Sequence, residues 1–203
     1  MSEGDLDLGS ADKRRTLWIV LWLNVAIAIA FFVTGYLADS NALLANGFDN
    51  SSDAVVYALS LLALVRSGKW KRGAARVSGV MLLIFGVGVI ADAVRRFVEG
   101  SEPGGVLMMA MAAIAAVVNL LSLRLLQKLK NKDVNLRAAT TFSFNDFVSN
   151  GGIIVAGIVV MLTGANWPDL LVGVAVAGIA LYGGVEILRD ASAEARNDKD
   201  GQT

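Results

Sequence analysis

The sequence has no cysteine and no histidine, only two prolines in 203 residues, and no surplus of either charge, with eighteen Lys and Arg against eighteen Asp and Glu. Without cysteine there is no disulfide, thiolate nucleophile, iron–sulfur cluster or thiolate zinc site. Without histidine there is no imidazole ligand or base, so any chemistry falls to carboxylates, amides and hydroxyls. A net charge of zero leaves no electrostatic surplus to hold nucleic acid against its counterions, which sets that class of partner aside. What fills the chain instead is apolar: 55% of residues are hydrophobic and 18% charged, too apolar for an ordinary soluble domain of this size.

The apolar residues form six blocks, Thr16–Leu37, Ala42–Val65, Val77–Val94, Gly104–Leu123, Ala138–Leu162 and Leu170–Leu188. Most are long enough to cross a bilayer as helices. The third and sixth have shorter uncharged cores, Val77–Ala91 and Leu170–Val185, and take their assignment from their place in the series. A soluble helical bundle would show one apolar stripe per helix, whereas Leu17–Tyr36 and Val106–Leu123 are apolar all round. The expected fold is therefore all-α, a polytopic membrane protein of six transmembrane helices.

Sixteen of the eighteen basic residues fall at the N-terminus, in the connections after blocks two and four, and after block six; only Arg95 and Arg96 lie elsewhere. By the positive-inside bias both termini and the two basic loops face the cytoplasm. Residues 1–12 are acidic and polar and do not form a signal peptide; they read as a disordered cytoplasmic segment. Residues 13–192 read as the membrane domain and 193–203 as a short cytoplasmic tail.

A carboxylate at mid-membrane is costly and marks a functional site by default. Asp49 and Asp53, in Phe48-Asp49-Asn50-Ser51-Ser52-Asp53, are four residues apart and share one helix face, about 6 Å apart along the axis. Asp146 lies in block five, within Phe142-Ser143-Phe144-Asn145-Asp146-Phe147-Val148-Ser149-Asn150. Counted at about 1.5 Å per residue from the block ends, Asp53 and Asp146 both reach the middle of a hydrocarbon core of about 30 Å. Two carboxylates on one helix and a third on a facing helix make an oxygen cage for a divalent cation, with Asn50, Asn145, Ser149, carbonyls or water completing it. Empty, the cage repels itself, and protons relieve that repulsion. Metal and proton then compete for one site, the physical basis of exchange without a nucleotide. The rival reading has these Asp residues merely hydrogen-bonding to neighbouring helices.

Five other polar residues are left out of the primary site, with a functional role for Asp92 and Glu186 kept open. Asn24 and Asn119, single amides in apolar helices, are expected to act as interhelical glue. Asp92 and Glu186 lie near block ends as interfacial carboxylates, and Asp169, after Trp167-Pro168, as a helix-start residue. Gly86-Val87-Gly88 lies inside an apolar helix and makes no phosphate loop. No nucleophile–base pair suggests an enzyme.

Taken together, these motifs resemble the cation diffusion facilitator family of metal transporters. The stretch Gly35–Asp53, GYLADSNALLANGFDNSSD, is similar to the family's run into a second helix bearing two acidic or His ligands four residues apart. Gly73 and Arg76 before the third helix, Asp92-Ala93-Val94-Arg95-Arg96 at its end, Asn119 in the fourth, Leu136-Arg137-Ala138 and Asp146 in the fifth, and Asp169 at the start of the sixth extend the likeness from about Arg15 to Ser192. The resemblance implies a cation-efflux bundle exporting divalent metals such as zinc, iron, manganese, cobalt or cadmium in exchange for protons. It implies Asp49, Asp53 and Asp146 as metal ligands, no prosthetic group, and a bacterial inner membrane as host. A family-like homodimer would form through the membrane helices.

Two departures accompany the likeness. Phe142 stands where the family places a fourth ligand, and the family's usual cytoplasmic metal-binding domain is not expected to contribute here. They motivate a second reading, a transport-inactive relative serving as a membrane partner or subunit.

Overall fold

The computed structural model describes the backbone of residues 3–63, 68–128 and 134–200, with side chains for 11–12, 14–59, 61, 73, 75–128 and 146–192. These residues form six helices and no strand: α1 (Glu3–Leu37), α2 (Asn41–Ala63), α3 (Gly68–Glu99), α4 (Gly105–Gln127), α5 (Val134–Thr163) and α6 (Trp167–Asp200). Five of them, all but α2, contain stretches long and apolar enough to cross a membrane. In α2 the run Asn46 to Asp53 lowers the hydropathy. Helices α3 and α6 carry apolar stretches of 25 and 26 residues, Ala75–Glu99 and Trp167–Ser192, longer than the uncharged cores of the two shortest blocks.

Helix α1 also starts far upstream of Thr16, at Glu3, through a segment whose polarity reads as disordered; α6 likewise continues to Asp200. Both extensions lack proline and adjoin long apolar helices, one before and one after, so each added residue gains a backbone hydrogen bond without a new nucleation cost.

The helices pair as α1 with α2, α4 with α5 and α3 with α6. The first two pairs assemble into a four-helix bundle, and the α3–α6 pair leans on it chiefly through α2. Small residues allow the close pairing. A Cβ at Gly105 would lie 2.5 Å from the Gly157 carbonyl oxygen, and one at Gly79 would lie 3.0 Å from the Gly184 carbonyl oxygen. Apolar side chains such as Ile29, Val33, Ile84, Ile114, Val155 and Ile179 point outward, an exposure that bilayer hydrocarbon, not water, accommodates.

Among the described residues, two apolar clusters lie within the four-helix bundle, and a third, Ala45, Val89, Val176 and Ala177, packs α2 against α3 and α6. Of the first two, one, at the end carrying the α1–α2, α3–α4 and α5–α6 connections (the turn end), gathers residues including Ile27, Phe31, Leu43, Met108, Ala115 and Ile153. The other gathers Leu17, Val20, Leu21, Tyr57, Leu61 and Leu126 toward the opposite end. Between them lies a polar layer.

The turn end is fastened by hydrogen bonds. Helix α1 ends in a Schellman motif, with Ser40 N donating to Gly35 O at 2.9 Å and Asp39 N to Tyr36 O at 3.3 Å, and Asp39 takes φ +48° where glycine is usual. The Asp39 carboxylate is held in place by the Arg96 guanidinium and by Glu102 N–H. Helices α3 and α5 also end at positive φ, here with Gly100 and Gly164. Ser40 caps α2, accepting from Leu43 N at 3.1 Å.

The next two orphan donors of α2 are satisfied from another helix. Asp169 of α6 accepts from Asn41 N at 2.7 Å, Ala42 N at 3.1 Å and Ser40 Oγ at 2.5 Å. Asp169 is thus a fully buried cross-helix cap and not simply the first-turn residue of α6 that its place after Trp167-Pro168 suggested. Asp92, expected at an interface, accepts from Asn41 Nδ2, Arg95 and Arg96 and joins α3 to the same corner. Glu186 is exposed, as expected of an interfacial carboxylate.

The basic residues divide by end. Arg95 and Arg96 sit at the turn end, whereas the described Arg14, Arg15, Arg76, Arg124, Lys128 and Arg189 lie toward the other end and are exposed.

Candidate functional site

The polar layer of the bundle is built mainly by α2 and α5. On α2, Asn46, Asn50 and Asp53 are buried and Asp49 is half-buried. Their spacing of three and four residues keeps them on neighbouring strips of one face. On α5, Asp146 and Asn150 are buried and Ser149 is half-buried. The carboxyl group of Asp146 lies within side-chain hydrogen-bonding reach of Asp49, and the charges of Asp49 and Asp53 both act on it. The three carboxylates expected to meet are therefore neighbours across the α2–α5 seam. Among the described residues, no three carboxylates already converge on one coordination point.

Two residues that spacing did not single out hold the seam. Asn46 Nδ2 donates to Asn150 Oδ1 at 3.1 Å, and Ser149 Oγ donates to Asn46 Oδ1 at 2.8 Å. Asn150 Nδ2 closes back on Asp146 O at 2.8 Å, and Asn50 Nδ2 on Asn46 O at 3.0 Å. Ser149, expected as a supporting ligand, is engaged with Asn46. Asn50 has its carbonyl oxygen Oδ1 buried without a partner, as is Asp53 Oδ2. Each is an acceptor in low dielectric with nothing to accept from, the condition a cation relieves. The available signal for Asn46 and Asn150 was position: one stands three residues before Asp49, the other four after Asp146, each on its carboxylate's own face. The side chains of Phe142 and Asn145 lie outside the described residues.

Asn24 and Asn119 do not act as the expected glue. Asn24 Nδ2 donates to Val20 O of its own helix at 2.9 Å while its Oδ1 has no partner, and Asn119 Nδ2 has none either. A cavity of about 310 Å³ among α1, α2 and α3, bordered by Phe32, Phe48 and Phe85, includes Ser51 and Ser52 but none of the carboxylates.

Apolar helices with outward hydrocarbon-facing side chains around a buried carboxylate layer define an integral multi-pass membrane protein with an acidic centre inside its bundle. Residues 17–194 match the family described as Cation efflux transmembrane domain, and the chain belongs to this family, the cation diffusion facilitators. It is 26% identical over 192 residues to the zinc transporter ZitB of Escherichia coli, covering 88% of this chain and 61% of that protein. It is 27% identical over 193 residues to a cadmium, cobalt and zinc/H(+)-K(+) antiporter of Bacillus subtilis, covering 88% and 62%. With the metal cation efflux system protein CzcD of Cupriavidus metallidurans it shares 25% identity over 174 residues, covering 80% and 55%. The chain thus spans about three-fifths of the length of these relatives.

Proposed function

We propose that this protein exports divalent metal cations across a membrane in exchange for protons, with Asp49, Asp53 and Asp146 as the transported ion's ligands. The observation that carries the reading is the meeting of Asp49 with Asp146 across α2 and α5 in a buried layer, with Asp53 close enough to act on both. A divalent cation neutralises the cluster; protons do so when the ion leaves, so the layer never holds three uncompensated charges. Asn50 is the fourth donor in this reading. Its free carbonyl oxygen stands one residue from Asp49 on α2 and compensates for Phe142 at the family's usual fourth ligand position.

The names of the relatives support zinc, cadmium and cobalt as candidate cargo. An all-oxygen site also suits iron(II) and manganese(II). Helix α2 serves as a sixth span, with its polar face turned into the bundle. The charge asymmetry supports a cytoplasmic location for both termini in a bacterial inner membrane. Assembly as a homodimer would use the membrane helices.

A second reading, a transport-inactive membrane partner, is favoured by Phe142 and by the absence, among the described residues, of a preformed three-carboxylate cage. Calorimetric titration of the detergent-solubilised protein with zinc, cadmium, cobalt, manganese and iron(II) separates the two. Saturable binding of at least one ion, lost in Asp49→Asn and Asp146→Asn, is the result expected for the exporter. No binding by the folded parent protein favours the partner.

A further inference from the structure

The described residues contain six buried side-chain polar atoms without a hydrogen-bond partner, and five lie in the polar layer: Asn24 Oδ1, Asn50 Oδ1, Asp53 Oδ2, Asn119 Nδ2 and Ser122 Oγ. Along each helix they fall between the two apolar clusters of the bundle. On α1, Asn24 falls between Leu21 of one apolar cluster and Ile27 of the other; on α4, Asn119 and Ser122 fall between Ala115 and Leu126. On α2 the same interval holds Asn50 and Asp53. All five residues are at most 6% exposed.

Packing glue would leave a different pattern. An amide that joins helices donates or accepts across the interface, yet Asn24 bonds only to its own helix and Asn119 Nδ2 to nothing. Buried polar atoms are rarely left alone, and native proteins satisfy those that helices cannot reach with ordered water. Five such atoms from three helices in one layer, beside Asp146 on the fourth, call for a shared partner that is small, polar and able both to donate and to accept.

We propose that Asn24, Asn119 and Ser122 form a water-holding wall opposite the carboxylates, so that a cation at Asp49, Asp53 and Asp146 keeps part of its hydration shell on the α1–α4 side. This rests on the reading of the carboxylates as a cation site. A metal-bound water directs its lone pair at the ion and its hydrogens outward, where Asn24 Oδ1 and Ser122 Oγ accept them. Asn119 Nδ2 donates to a further water. The cargo is then a partly hydrated divalent cation, and the site needs fewer side-chain ligands than a fully dehydrated ion demands. The wall is uncharged, so it adds no repulsion when the ion departs.

The cysteine-free sequence permits a direct test. Single cysteines replace Asn119 and Ser122 in the wall, and Ala115 and Leu126 in the flanking apolar clusters, and their reaction with a small water-soluble methanethiosulfonate is timed in the full-length protein. The thiolate is the reactive form and needs hydration, so Asn119→Cys and Ser122→Cys are expected to react at least about tenfold faster than Ala115→Cys and Leu126→Cys. Equally slow reaction at all four positions overturns the wall, whether or not the protein binds metal.

A second arm compares zinc affinity and melting temperature in Asn119→Leu and Asn119→Ser. The leucine variant is expected to melt no lower than the parent yet bind zinc about tenfold more weakly, with serine restoring affinity through its hydroxyl. Parent affinity in Asn119→Leu overturns the hydration role. If the parent binds no ion at all, the cation reading fails while the labelling still decides whether the wall is wet.

Discussion

Replacing Asp53 by asparagine keeps the shape of the side chain and removes one charge from the buried layer, and its effect on stability should reverse sign with metal. At a separation of about 5 Å and an effective dielectric of about 20, two carboxylates repel by about 3 kcal/mol. Asp49, four residues earlier on α2, and Asp146 on α5 both act on Asp53, each with a repulsion of this order or less. Protons relieve part of this in the metal-free protein, so the net relief on substitution is about 1–3 kcal/mol. For a chain of this length about 1 kcal/mol moves the melting temperature by about 2–4 °C, and metal-free Asp53→Asn should melt a few degrees above the parent. Added metal should do the opposite. At a hundred times its dissociation constant a bound ion stabilises the parent by about 2.7 kcal/mol, while the variant, lacking a ligand, gains little.

The assay is thermal unfolding followed by the intrinsic fluorescence of the four tryptophans, with chelator and then with zinc, cadmium or manganese. A parent whose melting temperature no divalent ion shifts would refute the reasoning. So would an Asp53→Asn protein that keeps the full metal-induced rise.

Four further outcomes are expected. Asp169→Ala leaves Ser40 Oγ and the N–H groups of Asn41 and Ala42 without their acceptor and should cost about 2–4 kcal/mol, with Asp169→Asn milder; unchanged melting of the alanine variant would count against the cross-helix cap. Arg96, its side chain 7% exposed, holds Asp39 and Asp92, so Arg96→Met removes one charged partner from each while Asp39 keeps Glu102 N–H and Asp92 keeps Arg95 and Asn41, and should cost about 1–3 kcal/mol, read as a lower melting temperature. Gly105→Ala places a Cβ 2.5 Å from the Gly157 carbonyl oxygen and should destabilise by about 1–3 kcal/mol, whereas Gly88→Ala meets nothing within 4 Å and should be neutral or stabilising; the reverse order would contradict the described α4–α5 packing. Asn46→Ala removes the acceptor of Ser149 and the donor to Asn150, and a metal titration should show weaker binding as the α2–α5 seam loosens.

The helices and the acidic centre were legible because each is written in local sequence. Apolar runs set the helices, and the end of the first block at Leu37 coincides with the end of α1. The i, i+4 spacing of Asp49 and Asp53 placed them on one face, and depth counting brought them to Asp146. The turn-end network was not legible. Arg96 finds Asp39 across 57 residues and Asp169 finds Asn41 across 128, and nothing in the flanking residues of either names its partner.

The surroundings of Asn24 and Asn119 are illegible in the sequence for a related reason. A lone amide in an apolar helix has the same local signature whether a neighbouring helix or water satisfies it. Their unpartnered buried atoms and their place between two apolar clusters are visible only in the folded bundle. The helical extension to Glu3 is not legible from polarity, since residues 3–12 carry no hydrophobic period yet continue a helix already nucleated downstream.

The most direct test of the central claim is simultaneous metal and proton flux in proteoliposomes holding the full-length protein, with an ion-sensitive dye on one side and a pH dye on the other, for the parent and Asp53→Asn. The expected result is zinc, cadmium or manganese movement accompanied by opposite proton movement in the parent, accelerated by an opposing pH gradient and absent in the variant. Flux of the parent that is indifferent to Asp53, or a folded parent that moves no divalent ion, would contradict it.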